Sequence, residues 1–301
     1  MGLYINNETN QLVSVILGIA DDMIENQSID KCIDPKTKEN ILNNTFPSQE
    51  DCIKEIERFH ETLLKYEVEV FRPNIIKNLN QIFTRDIAFV VENKFFIPEI
   101  IDQRNNEKDG IKYFSNSLEE KEKILVPNTI HIEGGDIIIH NDFIFIGYSK
   151  NDKLKVARTS YNSIKFMQNH FPNKKVIGFE MIKDDNNPYK NILHLDCAMQ
   201  PVGKNKLIIY KGGFENKEDY EKIKKIFGKN NLIYIDQKEM YEGNSNIFSI
   251  NNNLVVSDST FHRLNDVLTG YNITVEKVYY REISKFGGLF RCSTLPLKRI
   301  K

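Results

Sequence analysis

Hydrophobic residues in this chain fall into short pairs of runs, each pair separated by a turn that contains asparagine. Four such pairs occupy residues 86–98, 135–149, 199–212 and 246–259, with turns at Asn93, Asn141, Asn205 and Asn251 to Asn253. Asparagine tolerates the left-handed backbone that tight turns require, so each pair predicts a β-hairpin. The turns recur after about 48, 64 and 47 residues. This spacing indicates an internal repeat with insertions of variable length.

Three segments show helical periodicity and alternate with the hairpins. They are residues 48–67, 156–171 and 216–228. The first begins with a capping-box pattern from Ser48 to Asp51. Its apolar stripe consists of Ile53, Ile56, Phe59, Leu63 and Leu64. A strand is predicted over 12–20 before this helix, and no stretch rich in Pro, Gly or Ser interrupts the order. The pattern therefore predicts an α/β protein of ββα-type modules around one core, with 1–301 as a single domain.

Composition narrows the classes of function. The 301 residues carry a net charge of −1, with 40% hydrophobic and 28% charged residues, which excludes the basic footprint of a nucleic-acid or membrane-surface binder. No apolar run approaches the ~20 residues that span a bilayer, and no secretory leader is visible. The four cysteines form no CxxC pair, which disfavours a zinc site. We therefore expect a cytoplasmic protein with reduced thiols and with neither nucleic-acid nor membrane partners.

Polar residues interrupt the apolar strands at only a few places. They are Asp86 in "FTRD", Glu133 and Asp136 in "HIEGGD", His194 and Asp196 in "HLD", and Cys292 in "RC". Each alone has a structural explanation, as a packed thiol, a hydrogen-bonded imidazole or a turn-capping carboxylate. Together they suit a guanidinium substrate. A thiolate attacks the carbon, an imidazole moves protons, and paired carboxylates hold the planar cation.

The motifs resemble those of the guanidine-modifying enzyme superfamily, which contains arginine deiminases, dimethylarginine dimethylaminohydrolases and glycine amidinotransferases. The resemblance runs through nearly the whole chain, in the order "FTRD", "EGGD", "HLD" and "GGLFRCSTLPL". It implies the pentein fold, a five-bladed α/β propeller of ββαβ modules with pseudo-fivefold symmetry. The hairpin repeat agrees with that fold.

The resemblance also implies roles for individual residues. Cys292 matches the nucleophile, His194 the general acid and base, and Glu133 the carboxylate that orients the histidine. The residues expected to bind substrate are Asp86 and Asp196 at the guanidinium, Asp136 in support, and Arg158 and Arg104 at the α-carboxylate. Neither a metal nor an organic cofactor is implied.

The resemblance predicts hydrolysis of the guanidino group of arginine or a derivative, through a covalent amidino-cysteine, to a ureido product such as citrulline. An amidinotransferase that uses an amine acceptor such as glycine is the alternative. The same fold also occurs in a non-catalytic ribosome-binding factor, which would not require the Cys–His–carboxylate set. Arginine, methylated arginine, agmatine and citrulline remain open as substrates, and a homodimer is the default assembly.

Two departures from the superfamily pattern lie beside the nucleophile. Leu289 and Phe290 stand where a small residue is usual, and Arg291 stands where histidine is common. They bear on specificity at the substrate side. "HLD" matches deiminases and amidinotransferases better than dimethylaminohydrolases, whereas the chain length suits the smaller hydrolases.

Overall fold

The computed structural model describes residues 2–25 and 27–300 and arranges them in five three-stranded sheets. The strands are β1 (Gln11–Leu17), β2 (Glu69–Phe71), β3 (Phe89–Val91), β4 (Lys94–Ile97), β5 (Lys123–Leu125), β6 (Ile137–His140), β7 (Phe143–Tyr148), β8 (Lys175–Glu180), β9 (Met199–Val202), β10 (Lys206–Ile209), β11 (Leu232–Tyr234), β12 (Phe248–Asn251), β13 (Leu254–Asp258), β14 (Thr274–Val278) and β15 (Thr294–Ile300). The α-helices are α1 (Pro35–Leu42), α2 (Gln49–Lys65), α3 (Thr84–Ile87), α4 (Lys112–Ser117), α5 (Asn162–His170), α6 (Lys217–Phe227), α7 (Gln237–Glu242) and α8 (His262–Gly270).

Every sheet repeats one pattern, an antiparallel pair of strands followed by a third strand parallel to the second. In the sheet β6-β7-β8, Ile138 pairs with Phe145 across the hairpin, and β8 runs parallel to β7. In the sheet β15-β1-β2, the C-terminal strand β15 pairs antiparallel with β1, so the two ends of the chain close the ring. The predicted five-bladed propeller of ββαβ modules with pseudo-fivefold symmetry is confirmed.

The four predicted hairpins coincide with β3–β4, β6–β7, β9–β10 and β12–β13. Left-handed backbone occurs at three of these four turns, where for example Asn141 has φ 53° and Gly203 has φ 63°. In the first hairpin the left-handed residue is Glu92 (φ 52°), directly before the predicted Asn93. The turns therefore lie where the asparagines predicted them, within one or two residues.

Two of the predicted helices are confirmed. Ser48 accepts a hydrogen bond from the amide of Asp51 at 3.1 Å to cap α2, and Gly228 (φ 82°) ends α6. Leu64, the last residue of the predicted apolar stripe of α2, does not join the core, because the residue is 52% exposed.

The predicted helix over 156–171 is wrong in its first half, since α5 begins only at Asn162. Residues before it instead run along the mouth of a cavity. A β-bridge joins Ser149 and Ser160, and the side chains of Arg158 and Thr159 are buried. The pairing of Arg158 with the buried carboxylate of Glu133 outweighs the helical pattern here.

Short helical turns precede the buried strands and bring polar residues toward one region. α3 precedes β3, the turn Gly134–Asp136 precedes β6, and the turn Leu195–Cys197 precedes β9. Apolar residues of the same strands form the core beneath them. Across the described ranges, no helix has both the length and the apolar content needed to cross a membrane.

Candidate active site

A cavity of about 1230 Å³ lies where these strand starts converge. Five of the predicted site residues line it: Cys292, His194, Asp86, Arg104 and Arg158. Glu133, Asp136 and Asp196 are fully buried behind its wall. The structure thus brings the predicted site together, with three carboxylates set one layer deeper than the rest.

His194 is held between two carboxylates. Its Nε2 lies 2.9 Å from Glu133 Oε2, and its Nδ1 lies 3.6 Å from Asp86 Oδ1. Burial opposes a charge on the imidazole, but Asp86 and Glu133 outweigh it and raise the pKa of His194. The two carboxylates therefore favour the imidazolium, which carries a proton that can be donated.

The second glycine of "EGGD" makes this arrangement possible. A Cβ on Gly135 would lie 2.7 Å from both Asp86 Oδ1 and His194 Nδ1. No side chain larger than hydrogen fits without displacing one of them. The glycine therefore belongs to the site as a space for the imidazole and its carboxylate.

Cys292 is a buried thiol with acidic neighbours. Its Sγ lies 3.6 Å from Asp196 Oδ2 and accepts a hydrogen bond from Asn246 Nδ2 at 3.1 Å. Burial, followed by the charges of Asp196 and Asp86, raises the pKa of Cys292 well above its ordinary value. In the absence of a bound cation, the thiol keeps its proton.

The two predicted carboxylate-binding arginines meet at Glu133. Arg104 pairs with Asp86 at 2.7 Å and with Glu107 at 2.7 Å, and its Nη1 lies 3.6 Å from Glu133 Oε2. Arg158 Nη1 lies 3.4 Å from the same Oε2 atom. Burial opposes the charge of Glu133, but Arg158 and His194 outweigh it and hold its pKa far below the ordinary value. The buried carboxylate of Glu133 needs a cationic partner, and this accounts for the inward position of Arg158 before α5.

Asp196 forms a second ion-pair group beneath the nucleophile. Arg291 Nη1 donates to Asp196 Oδ2 at 2.8 Å, and Arg291 Nη2 donates to Glu8 Oε1 at 3.0 Å. Arg291 is fully buried and does not line the cavity. The departure from histidine at this position thus supplies a buried partner for Asp196.

The contacts of the remaining predicted site residue, Asp136, stabilise the fold. The same holds for the other two departures from the superfamily pattern, Leu289 and Phe290. Asp136 Oδ1 accepts the amide N–H of Leu195 at 2.9 Å, which holds the turn that carries His194 and Asp196. Leu289 and Phe290 pack in the hydrophobic core, where the ring of Phe290 stacks on Tyr280. None of the side chains of Asp136, Leu289 and Phe290 lines the cavity.

Three residues that contact the site were not predicted from the sequence, namely Asn246, Glu8 and Glu107. Asn246 carried a usable signal, since "GNSN" sets polar residues directly before strand β12, as the other motifs do before their strands. Glu8 and Glu107 lie outside any such motif.

Asp86, Glu133 and His194 offer ligand atoms that all lie within 4.8 Å of one another, as a metal ion would require. The guanidinium of Arg104 already contacts two of these residues. A metal ion would therefore have to displace an arginine that neutralises the same carboxylates.

The chain is similar to a described family and to a protein of Bacillus subtilis. The family described as N,N dimethylarginine dimethylhydrolase, eukaryotic, matches residues 23–299. The uncharacterized protein YkgA of Bacillus subtilis (strain 168) is 27% identical over 244 residues, covering 80% of this chain and 78% of that protein.

Solved structures share the fold at low identity. The N-terminal domain of ArgZ, an arginine dihydrolase from the ornithine–ammonia cycle in cyanobacteria, is 18% identical with a TM-score of 0.80, covering 95% of this chain and 98% of that one. SxtG, an amidinotransferase from Microseira wollei in saxitoxin biosynthesis, is 15% identical with a TM-score of 0.76, covering 99% and 98%. These likenesses place the chain among pentein folds.

Proposed function

Since the chain belongs to the N,N dimethylarginine dimethylhydrolase family of guanidino-modifying enzymes, we propose that it hydrolyses the guanidino group of arginine or an N-methylated arginine. The observation that carries the proposal is the convergence of Cys292, His194 and Asp86 on one cavity, with Glu133 behind the histidine. A nucleophile, a proton donor and an anionic cradle for a planar cation lie within one site.

The first step places the guanidinium between sulfur and carboxylate. Asp86 Oδ2 pairs with Arg104, while Oδ1 has no hydrogen-bond partner among the described residues and is available to a guanidinium N–H. Asp196, whose Oδ2 lies 3.6 Å from the thiol, adds negative charge that attracts the same cation. The bound positive charge offsets the two carboxylates that raise the pKa of Cys292, so the thiol releases its proton to solvent when substrate arrives.

The second step forms the C–S bond. Cys292 Sγ attacks the guanidinium carbon, and the imidazolium of His194 donates its proton to the departing nitrogen as the C–N bond breaks. An amidino group is left on sulfur, and the imidazole is neutral. It then takes a proton from water while the hydroxyl adds to the amidino carbon. Cleavage of the C–S bond restores the thiolate, and loss of the hydroxyl proton to solvent leaves the neutral ureido product.

Arg104 and Arg158 favour a substrate that carries a carboxylate. Both line the cavity with Asp86 and His194, and Arg158 has no partner closer than 3.4 Å among the salt bridges of the described chain. An α-carboxylate would give such a buried guanidinium a better charge-assisted partner. This supports arginine and its N-methyl derivatives over the decarboxylated amine agmatine.

An amidinotransferase remains the second candidate, and the size of the cavity favours it. At about 1230 Å³, the cavity exceeds the roughly 300–1,000 Å³ of pockets for one small ligand. It therefore has room for an acceptor amine beside the amidino-cysteine. SxtG, which has this fold, is described as an amidinotransferase.

The test is a product assay of the purified protein with L-arginine, with NG,NG-dimethyl-L-arginine, and with arginine plus glycine. Citrulline with ammonia identifies a deiminase, and citrulline with dimethylamine a dimethylaminohydrolase. Guanidinoacetate with ornithine identifies a transferase. Cys292→Ser and His194→Ala should each abolish turnover, whereas Cys52→Ser, a change at a buried cysteine in α2, should preserve it. Wild-type turnover by Cys292→Ser would end the proposal.

A further inference from the structure

Asn246 touches the predicted nucleophile from the start of the sheet β12-β13-β14. It lies just before β12, is 2% exposed, and its Nδ2 donates to Cys292 Sγ at 3.1 Å. Among the described residues, no other side chain donates a hydrogen bond to this sulfur. The contact therefore concerns the atom that would carry the negative charge during catalysis.

The orientation of this amide is fixed by its other end. Asn246 Oδ1 accepts the backbone N–H groups of Leu289 at 3.0 Å and of Cys292 at 3.1 Å. A backbone N–H group can only donate a hydrogen bond, so the side-chain oxygen of Asn246 must face these two groups. The NH₂ group is consequently directed at the sulfur, and rotating the amide would set nitrogen against two N–H donors.

The negative charges around the thiol would destabilise a thiolate, and a hydrogen-bond donor to the sulfur opposes this effect. Asp196 Oδ2 lies 3.6 Å from Sγ, and Asp86 lines the same cavity. A buried anion that faces carboxylates needs hydrogen-bond donors, and a bond to an ionised acceptor is about twice as strong as a neutral one. The Asn246 amide would thus bind the thiolate more strongly than the thiol.

We propose that Asn246 is a catalytic residue that donates a hydrogen bond to the Cys292 thiolate while its oxygen anchors the 289–292 segment. The inference rests on the proposed function, because it assigns the stabilisation of the same nucleophile. A purely structural asparagine at this turn would account for the two contacts of Oδ1. It would leave the directed contact of Nδ2 with sulfur unexplained.

The test separates donation to sulfur from anchoring of the backbone. The pH profile of alkylation by iodoacetamide is read at Cys292 by peptide mass spectrometry, without substrate. In Asn246→Ala its midpoint should rise by about one pH unit or more, and kcat/KM should fall about 100-fold, as for loss of one donor to a catalytic anion. The matched control is Asn244→Ala. Asn244 is also 2% exposed and donates to the Glu239 carbonyl at 3.0 Å. Loss of the Asn244 side chain should lower the melting temperature and leave the midpoint of Cys292 alkylation unchanged.

Asn246→Asp keeps an oxygen for the two backbone amides and removes the N–H donor. It should fold better than the alanine variant and still show the raised midpoint, because its carboxylate is ionised where the thiolate forms. A wild-type midpoint in either folded variant would overturn the role of Asn246. Because alkylation needs no substrate, it remains informative if no guanidino compound is turned over. Turnover with an unshifted midpoint would reject Asn246 and leave the proposed function standing.

Discussion

Two groups, each of one arginine and two carboxylates, lie near the predicted nucleophile. In the cavity group, Arg104 bridges Asp86 and Glu107 at 2.7 Å each. In the central group, Arg291 bridges Asp196 and Glu8 at 2.8 and 3.0 Å. The chemistry is the same, but the side chain of Arg104 is 13% exposed at the cavity wall and that of Arg291 is 0% exposed.

The difference in burial implies a difference in task. Arg104 can exchange a carboxylate for water or for a ligand, because the cavity supplies both. Arg291 has no such replacement, and its Nη2 is additionally held by the Ile137 carbonyl at 2.7 Å. Ion pairs sealed from water tolerate the loss of one partner poorly. The cavity group is therefore suited to binding, and the central group fixes Asp196 beneath the thiol.

The largest expected effect is on stability, from breaking the central group. Arg291→Met leaves Asp196 and Glu8 buried without their shared cation. We expect a loss of about 3–5 kcal/mol in the free energy of unfolding, measured by urea denaturation at neutral pH. Arg104→Met is the matched control and should lose less than half as much, because water in the cavity can solvate Asp86 and Glu107. Equal losses would contradict the contrast between the two groups.

The central group also predicts a window of acid sensitivity. Burial opposes the charge of Glu8, but Arg291 and Arg85 outweigh it and lower its pKa from 4.5 to about 2. A lowered carboxyl pKa adds stability above pH 4.5 that is lost as the pH falls through about 2. This amounts to about 3 kcal/mol. The difference in unfolding free energy between wild type and Glu8→Gln should shrink by that amount over this range. A difference that does not depend on pH would refute this assignment.

Much of the cavity side of this comparison could be predicted from the sequence. "FTRD", "EGGD" and "HLD" are local motifs at strand starts, and the repeat of hairpins places strand starts together. The central group could not be predicted in the same way. Glu8 meets Arg291 across 283 positions and Asp196 meets it across 95. No local pattern marks such a partner, because only closure of the ring brings β15 and the first residues of the chain together. The wrongly predicted start of the helix before α5 has a more local origin. Arg158 turns inward toward Glu133, which lies 25 positions earlier in the same module of strands β6, β7 and β8.

The smallest of these effects, and the one that sharpens the comparison most, concerns binding at Arg104. If this arginine receives the substrate carboxylate, Arg104→Met should raise KM for a carboxylate-bearing substrate about 10- to 100-fold, in line with 1.4–2.8 kcal/mol for a charge-assisted contact. It should change kcat much less.

Steady-state kinetics with a guanidino substrate and its decarboxylated analogue provide the measurement, and Arg158→Met provides a second arginine of the same cavity. The analogue lacks the carboxylate, so its KM should be nearly indifferent to the substitution. If KM for both compounds rose alike, Arg104 would act through Asp86 and the guanidinium end of the substrate. The cavity group would then only hold its residues in place, as the central group does. The two groups would differ only in their exposure to solvent.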